Sequence, residues 1–268
     1  MKHRTVRLTP QLAAEWKPRL SPRQRKLSES HADFLAGEMT AGRWSNDGSP
    51  IRFDKSGRLI DGHHRVEAVI RSGITIEVCV VEDLPEEAFE TIDTGKARSL
   101  ADAVYCSGTH AHFKDTSALL RLIDRWDDKS GLASTKGRGQ RVSSRKIVEL
   151  LGQHEASVKE SVSYVCGNHD RRRLAPPSVT TFCHWLFSRI DPEIANRFID
   201  DVASGADLPK GDGRYLLSRQ LQNRARSSSG DAQRSLVGAF IKAWNLYREG
   251  KQGSLIAWRP HEAFPIPH

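Results

Sequence analysis

The stretch Leu59-Ile60-Asp61-Gly62-His63-His64-Arg65-Val66-Glu67-Ala68 holds most of what this chain says about its fold and chemistry. Two apolar residues end a strand, Gly62 permits a sharp turn, and a helix follows at once, running from His64 through Arg71 to a stop at Gly73. Such a helix start presents backbone N–H groups and the positive end of the helix dipole, a ready anion site. His64 and Arg65 in the first turn add donors that suit phosphate oxygens, and a guanidinium can bind them bidentately. Asp61, at the strand end, is placed to orient a histidine or to hold Mg²⁺ beside a phosphate. The plainer alternative is a turn in which Asp61 caps the helix while His64 and Arg65 stand in solvent.

Working outward, Leu12–Lys17 and Ser28–Met39 have helical spacing, Asn46-Asp47-Gly48 is a turn, and Ile51-Arg52-Phe53 is a short strand. Ile74–Val81 alternates and then becomes wholly apolar, as a central strand does. Pro85-Glu86-Glu87 opens a helix, and Ser99–Val104 starts another. Between them, Ile92-Asp93-Thr94-Gly95-Lys96-Ala97-Arg98-Ser99 again sets a turn, two cations and a hydroxyl before a helix. Two cationic turns flanking one apolar strand converge on the same end of a sheet, which suits a polyphosphate.

After about residue 110 the strand signals vanish. Helices are expected over 113–126, 144–165, 178–189, 192–203, 214–224 and 231–248, with Asp191-Pro192 as N-cap and N1 of the fourth. The fold class expected is therefore α+β: a small mixed-sheet domain over 1–110, then an all-helical domain over 111–268. The 38% of hydrophobic residues suffices for a core, and no apolar run approaches the roughly 18 residues of a membrane span, so no membrane partner is expected. No leader-like apolar segment follows Met1, and a cytoplasmic location is the expectation. Cys79, Cys106, Cys166 and Cys183 lie far apart, unlike a disulfide framework, and Cys166-Gly-Asn-His169 with Cys183-His184 lacks a four-ligand zinc spacing.

A net charge of +8, from 41 Lys+Arg against 33 Asp+Glu, favours a polyanionic partner such as DNA. The cations cluster: Arg121, Arg125, Lys129, Lys136, Arg138, Arg141, Arg145 and Lys146 crowd one segment, and Arg171, Arg172 and Arg173 form a second group. Ser143–Gly152 is weighed as a helix-turn-helix start against two ordinary packed helices with a basic face, and the second is preferred. The stripe Leu236, Val237, Phe240, Ile241, Trp244 and Tyr247 is a packing face that serves a core or a homodimer interface equally well.

The turn Asp61–Arg65, the strand after it and the segment Ile92–Arg98 together resemble the ParB/sulfiredoxin superfamily, in particular its phage- and mobile-element-associated members with an Asp-Gly-x-His-Arg-like motif. The resemblance covers roughly residues 5–110, and the stretch Ala243–Gly250 with Trp258-Arg259-Pro260 is similar to the helical tail of such proteins. It implies a nucleotide pocket for ATP or CTP with Mg²⁺. Gly62, His64 and Arg65 would hold phosphate together with Lys96 and Arg98; Asp61 and Asp93 would hold the metal; Asp61, His63 and His64 would take part in any phosphoryl chemistry. Sulfiredoxins carry a reactive Cys where this chain has His63, which argues against sulfinic acid reduction. The superfamily's serine kinases share Asp61, Gly62, His63 and Arg65 and need a further carboxylate, for which Glu29 and Glu38 are candidates. Three functions are thus expected in order: a nucleotide-binding ParB-like protein that hydrolyses or transfers phosphate near DNA, a non-enzymatic DNA-binding module, and a small-molecule kinase.

Overall fold

The computed structural model describes every residue except 25, 91, 93–97, 134–141, 224–229 and 260. The chain divides into two units, Met1–Ala97 and Arg98–His268. That boundary lies ahead of the one expected at 110, so the helix that opens at Ser99 begins the second unit.

In the first unit the elements run β1 (Lys2–Leu8), α1 (Pro10–Trp16), α2 (Glu29–Thr40), β2 (Ile51–Asp54), β3 (Leu59–Asp61), α3 (His63–Ser72) and β4 (Ile76–Leu84). The sheet order is β1-β4-β2-β3, with β4 antiparallel to β1 and parallel to β2. β4 is inner, which explains its apolar run: Ile76, Val78, Val80 and Val81 are all buried. β1 carries no such pattern. Only Leu8 is fully covered, because the strand sits at the sheet edge and its charged residues face solvent. The β2–β3 hairpin closes on Asp54, whose carboxylate accepts from Ser56 Oγ and Arg58 N–H at 2.8 Å each. Burial pushes that carboxyl up, but these bonds outweigh it and hold the group below the ordinary value.

Helices cover the sheet with small and apolar residues. Thr9 caps α1 and Pro10 occupies its first turn; Trp16 at its end meets Phe53 of β2 edge-on, with ring centroids 5.1 Å apart. Ala36 and Met39 of α2 and Val66, Ala68 and Val69 of α3 complete this core. The segment Glu86–Glu90, expected to open a helix, forms a single 3₁₀ turn instead.

The second unit contains α4 (Leu100–Cys106), α5 (Phe113–Ile123), α6 (Ser144–Cys166), α7 (His169–Leu174), α8 (Pro177–Ser188), α9 (Pro192–Ser204), α10 (Gly213–Gln222) and α11 (Gly230–Arg248). A two-stranded hairpin, β5 (Trp126–Asp127) and β6 (Gly131–Leu132), interrupts the helices, so strand structure does not end at 110. Residues Val179–Phe187 of α8 are buried on every side, as expected of a helix apolar all round. Phe187 stacks on Trp244 of α11 at 4.4 Å. Gly213 of α10 lets α11 come close: a Cβ there would lie 2.2 Å from the Ala243 carbonyl oxygen. The tail folds back on α11, where Trp244 Nε1 donates to the His268 carbonyl at 3.1 Å and Asn245 to that of Ile266 at 2.9 Å. The α11 stripe is therefore spent on this core. No helix among the described residues is long and apolar enough to cross a membrane.

Candidate functional site

Gly62 is the hinge of the first unit's site. It sits at φ 95° between β3 and α3, a conformation that costs residues with a Cβ about 1–2 kcal/mol. A Cβ there would also come within 2.9 Å of Ile51 Cγ1 and 3.4 Å of its Cα. The turn opens into a cleft of about 360 Å³ lined by α2 (His31, Leu35), the 44–49 loop (Trp44, Asp47, Ser49), Arg52 of β2, and Asp61 through Arg65.

The two arginines organise this cleft. Arg52 and Asp61 are direct cross-strand partners, and Arg52 Nη1 donates to Asp61 Oδ2 at 2.5 Å. Arg65 reaches the same oxygen at 3.5 Å and donates to the carbonyls of Ser49 and Pro50 at 2.5 and 2.7 Å. It thereby ties α3 to the loop that forms the opposite wall. Asp61 does not cap α3, since Gly62 occupies that position without a side-chain cap bond. Its carboxylate faces two guanidinium groups instead, both on Oδ2. Asp47 is the second acid of the cleft. Burial pushes its carboxyl up, but the Ser49 N–H bond (2.9 Å) and the nearby Arg65 charge hold it below the ordinary value.

His63 and His64 are buried, 6% and 7% exposed, rather than standing in solvent. Their rings lie 3.9 Å apart, and His31 of α2 meets His64 edge-on at 5.0 Å. The Ser28 N–H donates to His64 Nε2 at 3.0 Å, which makes that nitrogen an acceptor and places the ring proton on Nδ1. Trp44 Nε1 is a buried donor with no hydrogen-bond partner among the described residues.

Several expected site residues fall elsewhere. Asp93, Lys96, Lys136, Arg138 and Arg141 lie outside the described residues. Arg98 belongs to the second unit and is exposed. Glu29 pairs with Arg71, and Glu38 with Arg43 at 2.6 Å; neither lines the cleft. Arg71 also holds Asp33 at 2.7 Å and the buried Glu67 at 3.0 Å, so these acids serve the α2–α3 contact. Of the basic groups in the second unit, Arg171 is bound to Asp200 at 2.5 Å and lies over the Tyr164 ring at 3.7 Å. Arg172 is bound to Asp115 at 3.1 Å and Arg145 to Glu149 at 3.5 Å. Those three cations have acidic partners within the unit, whereas Lys146 is half-buried on α6 and Arg173 is exposed beside His169. The segment weighed as a helix-turn-helix lies in α6, which is two helical runs broken at His154, where φ is −124° and ψ 16°.

Cleft residues that the sequence did not single out are His31, Leu35, Trp44, Asp47, Ser49 and Arg52. Arg52 carried the clearest available signal, as a cation inside an otherwise apolar strand. Cys183 is fully buried and its thiol pushed up by burial; His184 beside it bonds Asn196 at 2.8 Å. That pair therefore belongs to the core.

Comparison with protein-family models, with curated proteins and with solved structures finds no match to this chain.

Proposed function

We propose that the first unit binds the phosphate-bearing part of a nucleotide in the cleft at the start of α3. The carrying observation is the convergence of that helix start with Arg52, Arg65 and three imidazoles around about 360 Å³ of open space. Helix dipole and guanidinium groups both favour negative charge. Trp44 and Leu35 give the same cleft an apolar and aromatic wall for a base. The resemblance of Asp61–Arg65 and Ile92–Arg98 to the ParB/sulfiredoxin superfamily supports this reading and makes ATP and CTP the first nucleotides to try.

The reading is of a binding site whose acids are already engaged. Asp61 is held by two arginines and Asp47 by the Ser49 N–H. A thermal-shift panel of ATP, CTP, GTP and ADP, each with and without Mg²⁺, tests it. A nucleotide at 100 times its dissociation constant stabilises the folded state by about 2.7 kcal/mol. A shift with at least one nucleotide that Arg52→Ala abolishes is the expected result, and no shift with any of the four contradicts it.

A further inference from the structure

His112, Asp115 and Cys166 meet in the second unit, where α5 packs against α6. His112 is the N-cap of α5, held at φ 51°, and Asp115 follows in its first turn. Their i,i+3 spacing puts both on one face. Cys166 is the last residue of α6. One ligand-type atom of each lies within 4.8 Å of the other two, and His112 Nδ1 is 3.8 Å from an Asp115 oxygen. This is the one such trio among the described residues.

We propose that His112, Asp115 and Cys166 form a binding site for a zinc-class divalent ion, with water in the fourth position. Thiolate, imidazole and carboxylate are the donor types that zinc takes, whereas Mg²⁺ and Ca²⁺ demand oxygen. Metal–ligand bonds of about 2.0–2.3 Å place the donors of a tetrahedral site roughly 3.3–3.8 Å apart. The His112–Asp115 separation is already at that limit. The remaining contraction falls to His112, whose side chain is 36% exposed and has room to turn.

Charge supports the same assignment. One thiolate and one carboxylate neutralise a divalent ion, and the thiol proton leaves to solvent when the metal binds. Arg172 contacts both Asp115 oxygens, at 3.1 and 3.5 Å. With metal bound, Asp115 gives one oxygen to the ion and keeps Arg172 on the other, which orients the ligand as outer-shell partners do. His112 also lines a separate cavity of about 340 Å³ with His110, Thr116 and Glu155.

Cobalt(II) titration of the chelator-stripped full chain tests the site. One equivalent should bind with thiolate-to-cobalt charge-transfer absorption, and zinc should displace it. Cys166→Ser should abolish that absorption, and His112→Ala should weaken binding at least about tenfold; Cys106→Ser, at an exposed cysteine, should change neither. His112→Ala alters an exposed side chain and decides the matter even if the Cys166 variant fails to fold. Absence of the band, its loss in Cys106→Ser, or unchanged cobalt affinity in His112→Ala overturns the proposal.

Discussion

Replacing Gly62 by alanine is the sharpest probe of how the first unit is built. Two separate costs arise at that position. The backbone sits at φ 95°, and an added Cβ would stand 2.9 Å from Ile51 Cγ1, 3.2 Å from Arg65 Nη2 and 3.4 Å from Ile51 Cα. The first cost is about 1–2 kcal/mol for a residue forced to positive φ. The second is overpacking, about 1–3 kcal/mol, because Ile51 belongs to β2 and its Cα cannot yield as the end of a flexible side chain does. Gly73→Ala is the matched control: φ is 68° there, with nothing within 4 Å of the new Cβ. It carries only the backbone cost, so the two variants should differ by about 1–3 kcal/mol. Hydrogen-exchange mass spectrometry on peptides covering β2 through α3 reads this unit separately from the second. If Gly62→Ala opens those peptides no more readily than Gly73→Ala, the close packing of the turn on Ile51 is refuted.

Other outcomes follow from individual contacts. Asp128 is held down to about 2, from an ordinary 3.8, by hydrogen bonds from Arg189 and Trp126. A carboxyl lowered on folding stabilises above its unfolded value and loses that contribution as pH falls from 3.8 towards about 2. Asp128→Asn should therefore flatten the acid limb of the denaturant midpoint against pH, and an unchanged limb contradicts the pairing. A thiol reagent should label the exposed Cys106 first and reach the buried Cys166 and Cys183 only on denaturation, and rapid labelling of Cys183 would contradict its place in the core. In duplex-DNA titrations at two salt concentrations, Arg171→Ala should leave the salt slope unchanged, because Asp200 already balances that cation. Replacing Lys136, Arg138 and Arg141 together should lower it by about two to three, at about 0.9 for each phosphate no longer neutralised. A lower slope in Arg171→Ala would contradict the first expectation, and an unchanged slope in the triple variant would contradict the second.

Most helices of the second unit, α7 excepted, were legible because each rests on local signals. Asp191 and Pro192 start α9, Gly205 ends it at φ 63°, and the apolar spacing between them does the rest. β1 was not legible, since a strand paired on one side only needs little apolar character, and its partner β4 is far away in sequence. The hairpin at Trp126–Leu132 is two residues a side, too short for any alternation to show. For the cleft, the sequence marked the turn Asp61–Arg65 as one local feature, but it did not show the arginine partners of Asp61. Its partner Arg52 is set by strand register, and Arg65 reaches the Ser49 and Pro50 carbonyls through the fold of a loop without a pattern of its own. His31 arrives from α2 on the same terms. Metal-type donors were sought near Cys166 in sequence, at His169, whereas the structure sets Cys166 beside His112 and Asp115 of another helix.

The central claim, that the start of α3 receives nucleotide phosphates, is tested most directly by hydrogen exchange with and without a saturating nucleotide from the ATP and CTP series. The cleft is assembled from Ser28–Leu35, Trp44–Pro50 and Arg52–Val66, so protection should appear in peptides from those three segments and should vanish in Arg52→Ala. Protection confined to the second unit, or none in these three segments with any nucleotide at saturating concentration, contradicts it.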